Sequence, residues 1–342
     1  MHNTHDVLLR NRAALTGRLA LLGLADASLL GDFPAGGTAV SEHYGVYRDV
    51  QQTPGWQACF GYLDACEASA DTAVVFVPKA RAELAMRLAR ASRLLVPDGQ
   101  LVLVGEKREG IASAVKQLKS LAPDAVKIDS ARHCQVWRSG RPRLEDRPPS
   151  AWLDWHTVTV AGHICAVAGL PGIFSAGRLD DGTRMLLETL HDKPVSGPVL
   201  DFACGAGVMG AWLATRHGAG LEVDGVDVQA QAVFCARQTY ERAGVTGHIQ
   251  ASDGLAEVSR RYQTVITNPP FHTGVSTDLS MTNRFLQQVA DHLLPGGELR
   301  LVANRFLPYA DLIRQAIGPA GILAQDRRFT VYQAFCTATG RH

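Results

Sequence analysis

In the C-terminal half the apolar run Thr264-Val-Ile-Thr ends in Asn268-Pro269-Pro270-Phe271. Two consecutive prolines cannot donate ladder hydrogen bonds, so the chain must leave a sheet here, and their restricted dihedrals make a stiff corner. A stiff corner can hold one side chain and one backbone carbonyl in fixed directions. The Asn268 side-chain oxygen and the Pro269 carbonyl are then two acceptors suited to the two N–H bonds of an exocyclic amine. Such an amine is a poor nucleophile while its lone pair is delocalised into a nucleobase ring. Two acceptors hold it and favour concentrating the lone pair toward a methyl group. Phe271 offers an aromatic face for the base. The chemistry is direct methyl transfer to nitrogen, accelerated mainly by positioning, and it needs no metal and no covalent nucleophile. A plain Pro-Pro turn is the bland alternative; Asn before the prolines and an aromatic after them argue for function. His272 reads as an ordinary loop histidine, and Gly274 to Ser280 as a polar candidate substrate loop.

Upstream, Asp201-Phe-Ala-Cys-Gly205-Ala-Gly207 follows the short apolar run Pro198-Val-Leu. Gly205 and Gly207 let the backbone approach a ligand closely. Asp201 is placed to accept a hydrogen bond from an ammonium, Asp227 closes the next strand where an acid can bind two ribose hydroxyls, and Asp253 ends a third where it can accept from an adenine amino group. The segment Gly205-Ala-Gly207-Val-Met-Gly210 also satisfies the G-x-G-x-x-G dinucleotide pattern, which leaves a nicotinamide or flavin oxidoreductase as an alternative. Asp201 argues against it, because an acid beside those amides would repel a pyrophosphate. S-adenosylmethionine has no phosphate and carries a cationic amine and a sulfonium, so the same acid favours it. Asp227 and Asp253 also have a plainer reading as turn acids. Cys204 reads as a small filler.

These residues need strand ends to stand on, and the pattern supplies them. Val208 to His217 and Gln229 to Arg242 read as helices stopped by Gly218 and Gly244. Leu221 to Asp227, His248 to Ala251, Gln263 to Thr267 and Glu298 to Ala303 read as strands. The alternation predicts a doubly wound, mostly parallel α/β sheet that binds its ligand at the carboxyl ends of the strands. The first half echoes this pattern. Arg93-Leu-Leu-Val-Pro-Asp-Gly-Gln-Leu-Val-Leu-Val104 matches His292-Leu-Leu-Pro-Gly-Gly-Glu-Leu-Arg-Leu-Val302, and Arg132 to Trp137 matches Arg327 to Tyr332. Two tandem copies of one architecture follow, divided at the proline-rich segment Gly140 to Ser150, with domains expected at 1–147 and 148–342. Beyond that segment, Trp152 to Val167 alternates like a hairpin turning near Gly162.

Composition sets the outer limits. The 342 residues suit two domains, and no apolar run is long enough for a membrane span or a signal peptide. A cytoplasmic, membrane-free protein is expected. The seven cysteines lack paired short spacing, so they are read as free thiols, neither a disulfide framework nor a metal site. The net charge of +1 gives no global sign of a nucleic-acid binder. Local arginines occur in Arg138 to Arg147 and in the stretch from Lys79 to Arg93, where a solvated linker and a solvated helix face are the bland readings.

Together these motifs resemble the bacterial small-subunit (16S) ribosomal RNA guanine-N2 methyltransferase family over nearly the whole chain. The resemblance includes Leu170-Pro-Gly-Ile-Phe-Ser175, Asp201 to Gly207, Thr267 to His272, Gly296 to Asn304 and Phe306-Leu-Pro-Tyr309. In the first half it includes Val7-Leu-Leu-Arg10, Val104 to Gly110 and Asp129-Ser-Ala-Arg132. It implies two class I (Rossmann-like) methyltransferase-type domains, of which only the second keeps the site while the first, degenerate, supports it and helps with RNA. It further implies S-adenosylmethionine as the donor, no metal, and small-subunit ribosomal RNA or the small ribosomal subunit as partner. The first half fits a degenerate copy, having Val77-Pro-Lys-Ala80 in place of the Asn-Pro-Pro-Phe motif and no acidic glycine loop. The chain departs from the family at Ala203, where a glycine is usual. The same N-methylation on another RNA or a protein glutamine, and a non-catalytic RNA-binding assembly protein, are the alternative readings of the motifs.

Overall fold

A computed structural model describes residues 3–63, 69–144, 147–173, 179–269 and 275–337. The chain forms two compact units, Met1–Trp152 and Leu153–His342. The division lies just beyond the expected 147/148 boundary, where a short 3-10 turn, Pro149–Trp152, closes the first unit and the Arg147 guanidinium sits 5.7 Å from the centre of the Trp152 ring.

The first unit runs α1 (Asn3–Arg10), β1 (Leu19–Leu22), β2 (Thr38–Ser41), α2 (Tyr44–Gln51), β3 (Gln57–Phe60), β4 (Ala70–Phe76), α3 (Arg81–Leu94), β5 (Leu95–Glu106), α4 (Ile111–Leu121), β6 (Val126–Ala131) and β7 (Cys134–Gly140). The second unit opens with a hairpin, β8 (Asp154–Val160) and β9 (His163–Gly169), whose turn residues Ala161 and Gly162 both have positive φ, as a two-residue hairpin loop requires. It continues through α5 (Asp181–Asp192), β10 (Val199–Phe202), α6 (Val208–His217), β11 (Val223–Asp227), α7 (Ala230–Ala243), β12 (Ile249–Ala251), β13 (Tyr262–Thr267), α8 (Val275–His292), β14 (Leu293–Asn304), α9 (Tyr309–Ala316), β15 (Ala320–Gln325) and β16 (Phe329–Phe335).

The internal repeat is structural. The two seven-stranded sheets have the orders β3-β2-β1-β4-β5-β7-β6 and β12-β11-β10-β13-β14-β16-β15, which are one topology twice, parallel except at the β7 and β16 pairings. Even their irregularities coincide. Between β4 and β5 the register jumps from Ala70↔Leu95 to Thr72↔Gln100, and between β13 and β14 from Tyr262↔Leu293 to Thr264↔Glu298. The segments Pro97 to Gly99 and Pro295 to Gly297 are thus loop-outs within a strand. Central strands such as β4 and β13 are buried on both faces, as strands of a sheet covered by helices on both sides are. Cys134, Cys165, Cys204, Cys235 and Cys336 are free thiols as expected, whereas Cys59 is disulfide-bonded.

Candidate functional site

The carboxyl edge of the second sheet gathers the residues singled out above. Phe202 pairs with both Val226 and Thr267, so the ends of β10, β11 and β13 lie side by side. The Thr267 hydroxyl donates to the Phe202 carbonyl at 2.9 Å, which ties the start of the Asn-Pro corner to the start of the glycine loop. Ser252 N–H donates to the Asp227 carbonyl at 3.0 Å and brings the exposed Asp253 to the same edge.

The loop after β10 is wound left-handed three times, with φ of 55° at Ala203, 55° at Gly205 and 78° at Gly207. Alanine at such an angle costs on the order of 1 kcal/mol, which glycine would avoid. Its methyl packs against the apolar core under β10 and β13. The two glycines serve different ends. A Cβ on Gly205 would meet nothing within 4 Å, so space is open above it, whereas one on Gly207 would lie 3.1 Å from the Tyr240 ring. Gly205 N–H donates to Asp227 Oδ2 at 2.9 Å and Gln229 N–H to Asp227 Oδ1 at 2.9 Å. Asp227 therefore clamps the loop to the start of α7.

Asp201 lies beneath the loop and is completely buried. Neither carboxylate oxygen has a hydrogen-bond partner of good geometry among the described residues. Burial, followed by the negative charge of Asp227, raises its pKa well above the ordinary carboxylate range, opposed only by the Gly210 N–H in the first turn of α6. A buried acid without a counter-ion is a site short of one positive charge. Burial, then Asp201 and Asp227, also push the Cys204 thiol far up, so it is no thiolate nucleophile and remains a filler.

Asn268 is partly buried and Pro269 buried; Phe271 and His272 lie outside the described residues. Asn268 Nδ2 donates to Asp180 Oδ1 at 3.1 Å and to Thr183 Oγ1 at 3.0 Å. Both neighbours matter, but differently. A hydroxyl can donate or accept, whereas an ionised carboxylate only accepts. Asp180 therefore fixes the amide with its nitrogen inward and leaves Oδ1 as the outward acceptor. Asp180 is itself locked as the N-cap of α5, accepting from Gly182 N–H at 3.0 Å and Thr183 N–H at 3.1 Å. The far end of α5 is held by Arg300, which is buried on β14, ion-paired to Glu298 at 2.6 Å, and donates to the carbonyls of Thr189 and Lys193. Sequence reasoning missed Asp180 and Thr183, although Asp180-Asp-Gly-Thr183 ahead of an amphipathic stretch is a capping signature.

Comparison with known proteins bears on this geometry. Residues 5–157 match the family model "Methyltransferase small domain N-terminal" and residues 165–333 match "Methyltransferase small domain". A protein of Stutzerimonas stutzeri named ribosomal RNA small subunit methyltransferase C is 40% identical, covering 96% of this chain and 98% of its own. One of Hahella chejuensis with the same name is 39% identical, covering 98% of each. The chain belongs to the ribosomal RNA small subunit methyltransferase C family. A solved T. thermophilus 16S rRNA N2 guanine methyltransferase, in complex with AdoMet and guanosine, superposes with a TM-score of 0.83 at 25% identity, covering 98% of this chain and 92% of that one.

Register shows what the first unit of this family member puts at the equivalent positions. Leu22 pairs with Val40 and Val75 just as Phe202 pairs with Val226 and Thr267. Leu21 thus stands where Asp201 does, Ser41 where Asp227 does, and Phe76-Val77 where Asn268-Pro269 does, one residue earlier than the counterpart expected at Val77. The space over those strand ends is filled by Arg87 of α3. Its buried guanidinium donates to the Phe76 carbonyl, to Glu42 just past β2, and to Glu83 at 2.8 Å, and lies 5.5 Å from the Tyr62 ring centre. A Cβ on Gly23 would come within 2.2 Å of it. The solvated-face reading of this arginine stretch therefore fails for Arg87 and Arg90, which are 8% and 4% exposed. Arg90, Arg93, Arg141 and Arg147 line a cavity of about 300 Å³ together with Tyr62 and Trp152, so the two arginine-rich segments converge.

Proposed function

We propose that this chain transfers a methyl group from S-adenosylmethionine to the exocyclic N2 amine of a guanine in 16S ribosomal RNA. The observation that carries this reading is the one-way lock on Asn268, because an acceptor oxygen held outward at the Pro corner is what an unreactive amine needs. Family membership and the guanosine-bound neighbour agree with it.

The residues present fit the donor. Asp201 lacks a counter-charge beneath an open glycine loop, and a cationic donor would supply it. Asp201, Gly205, Gly207, Asp227 and Asp253 would hold that molecule, with Asp227 on its ribose and Asp253 on its adenine. When bound, it supplies an electrophilic methyl group. The protein's own part is to present the guanine. Asn268 Oδ1 and the Pro269 carbonyl accept the two N2–H bonds, Phe271 gives the base a face, and Asp180 keeps the Asn268 amide from turning. Holding the amine in line accounts for most of the acceleration. The C–N bond would form as the methyl–sulfonium bond breaks, leaving a neutral thioether, and the nitrogen would release one of the two held protons to water, since neither acceptor is a base.

In this reading the first unit is catalytically silent and serves docking and support. That rests on Leu21, on the filled Arg87 position and on the convergence of arginines around Arg141 and Arg147. The partner is then the RNA within the small ribosomal subunit, and the place of action the cytoplasm. No described helix is long and apolar enough to cross a membrane.

The test is transfer from labelled S-adenosylmethionine to unmodified small-subunit RNA and to isolated subunits, followed by nucleoside analysis. Label in N2-methylguanosine is expected; label in any other nucleoside, or in protein alone, removes the reading. The Asn268→Ala variant should lose turnover and keep donor affinity nearly unchanged, and an active variant would remove the proposed mechanism.

A further inference from the structure

Where β14 ends, the chain makes a tight turn, with Leu307 N–H donating to the Asn304 carbonyl at 3.1 Å. Leu307 and Tyr309 beyond it are buried in the core at 6% and 1% exposure, so the turn is anchored. Phe306 at its tip is 77% exposed, the highest value among the large exposed apolar residues described. A large aromatic held in water by a well-anchored turn forgoes the gain that burial would give it.

This turn is joined to the catalytic corner by a continuous set of contacts. Arg305 N–H donates to the Arg328 carbonyl at 2.8 Å, linking the turn to the start of β16. Arg328 pairs with Asp181 at 2.8 Å, and Asp181 follows Asp180, the residue that locks Asn268. The rim therefore presents Arg305, Phe306, Arg327 and Arg328, all exposed, on the edge that carries Asn268. Against these cations stand Asp181 and Asp326. Asp326 spends one carboxylate oxygen on the Arg328 and Phe329 amides, and those bonds together hold its pKa below the ordinary value.

We infer that this rim is the RNA-docking edge of the catalytic unit. Phe306 stacks on an unpaired base beside the target guanine, and Arg305 and Arg327 meet the flanking phosphates. An exposed aromatic flanked by cations is chemically complementary to single-stranded RNA, which offers base faces and phosphates together. The inference rests on the proposed RNA substrate and adds to it the residues that seat the strand.

The test compares Phe306→Ala, Phe306→Leu and Phe306→Trp on small-subunit RNA, with donor binding measured separately. Stacking of one base is a sequence-tolerant contribution, so Phe306→Ala should raise KM for RNA on the order of ten-fold, with kcat within about two-fold. Phe306→Trp should restore KM, whereas Phe306→Leu, apolar but without a π face, should not. The Arg305→Ala/Arg327→Ala double variant should flatten the dependence of log K on log salt by about one or two units. An unchanged KM in Phe306→Ala, or equal KM in the Leu and Trp variants, overturns the inference while wild-type N2-methylguanosine formation leaves the reaction standing. Wild-type protein that makes no N2-methylguanosine would instead bring down the underlying reading.

Discussion

Replacing Asp180 by serine should cripple methyl transfer while sparing the fold. In the structure Asp180 Oδ1 does two jobs. It caps α5 through the Gly182 and Thr183 amides, and it accepts from Asn268 Nδ2 at 3.1 Å. Serine caps a helix about as well as aspartate, but its hydroxyl is one atom shorter and carries no charge. The remaining neighbour, Thr183 Oγ1 at 3.0 Å, can donate or accept, so it tolerates either orientation of the amide. Loss of a hydrogen bond to a charged group costs about 1.5–3 kcal/mol, which corresponds to roughly ten- to a hundred-fold in rate if the bond is what keeps Oδ1 outward. The loss should fall equally on kcat and kcat/KM, since a misoriented acceptor fails at the transition state. Single-turnover transfer from labelled donor, donor affinity by calorimetry and thermal melting separate the terms. Asp180→Ser should show the rate loss with donor affinity and Tm near wild type; Asp180→Ala should show the same rate loss plus about 1 kcal/mol of lost cap. If Asp180→Ser turns over within two-fold of wild type, the carboxylate does not set the amide. If rate loss simply follows Tm across both variants, Asp180 is a cap and nothing more.

Two further outcomes concern protons. Burial and Asp227 hold Asp201 well above the ordinary carboxylate range, and a cationic donor favours its ionised form, so donor binding should release a proton and tighten as pH rises. Calorimetry in buffers of different ionisation heat reads that release directly; its absence, or its persistence in Asp201→Asn, would contradict the assignment of Asp201. In the first unit, burial chiefly, with the Glu83 hydrogen bond adding and Arg87 opposing, raises Glu42 from 4.5 to about 7. An acid whose folded pKa is raised gives stability that is complete below its unfolded pKa and is lost as pH climbs through the folded one. Melting of the wild type should therefore fall between about pH 4.5 and pH 7, and Glu42→Gln should flatten that decline. Parallel slopes in the two proteins would show that Glu42 does not titrate there.

The duplicated sheet was readable because hydrophobic periodicity and turn residues are local. The matched runs at Arg93 to Val104 and His292 to Val302 announce the same strand with the same loop-out, and Asn268 was readable because two prolines force a strand to end. Other parts of the site depend on contacts across the chain. Asp180 reaches Asn268 across 88 residues, and no local pattern couples them. Asp201 was expected at a strand end as a partner for an ammonium, a reading that carried nothing about its burial. Whether a strand-end acid faces solvent, however, is decided by how the following loop folds, and here the left-handed run through Ala203, Gly205 and Gly207 folds over it. Arg87 looked like one more solvated helix arginine because its partners Glu42, Phe76 and Tyr62 come from other segments.

The two units answer the same electrostatic problem in opposite ways. Each sheet ends beside a buried acid, Glu83 with the partly buried Glu42 in the first and Asp201 in the second, and a buried acid without a partner is costly. The first sheet has Leu21 in place of the acid under the loop and answers Glu42 from within through the Arg87 guanidinium. The second keeps Asp201 under an open loop with no hydrogen-bonding cation beside it among the described residues. One copy of a shared topology is therefore closed by a single arginine on α3, the helix that follows β4, the strand beside β1. In a closed copy the Arg87 guanidinium offsets part of the cost of burying Glu42, so the site supplies its own cation. In a receptive copy, burial raises the pKa of the acid, which lowers stability above its unfolded pKa; a bound cation would relieve that cost as the acid gives up its proton. Removing one partner of a buried pair costs about 3–5 kcal/mol, so a closed unit would not revert to a receptive one by losing Arg87 alone; it would also have to lose Glu42 or regain an acid at Leu21.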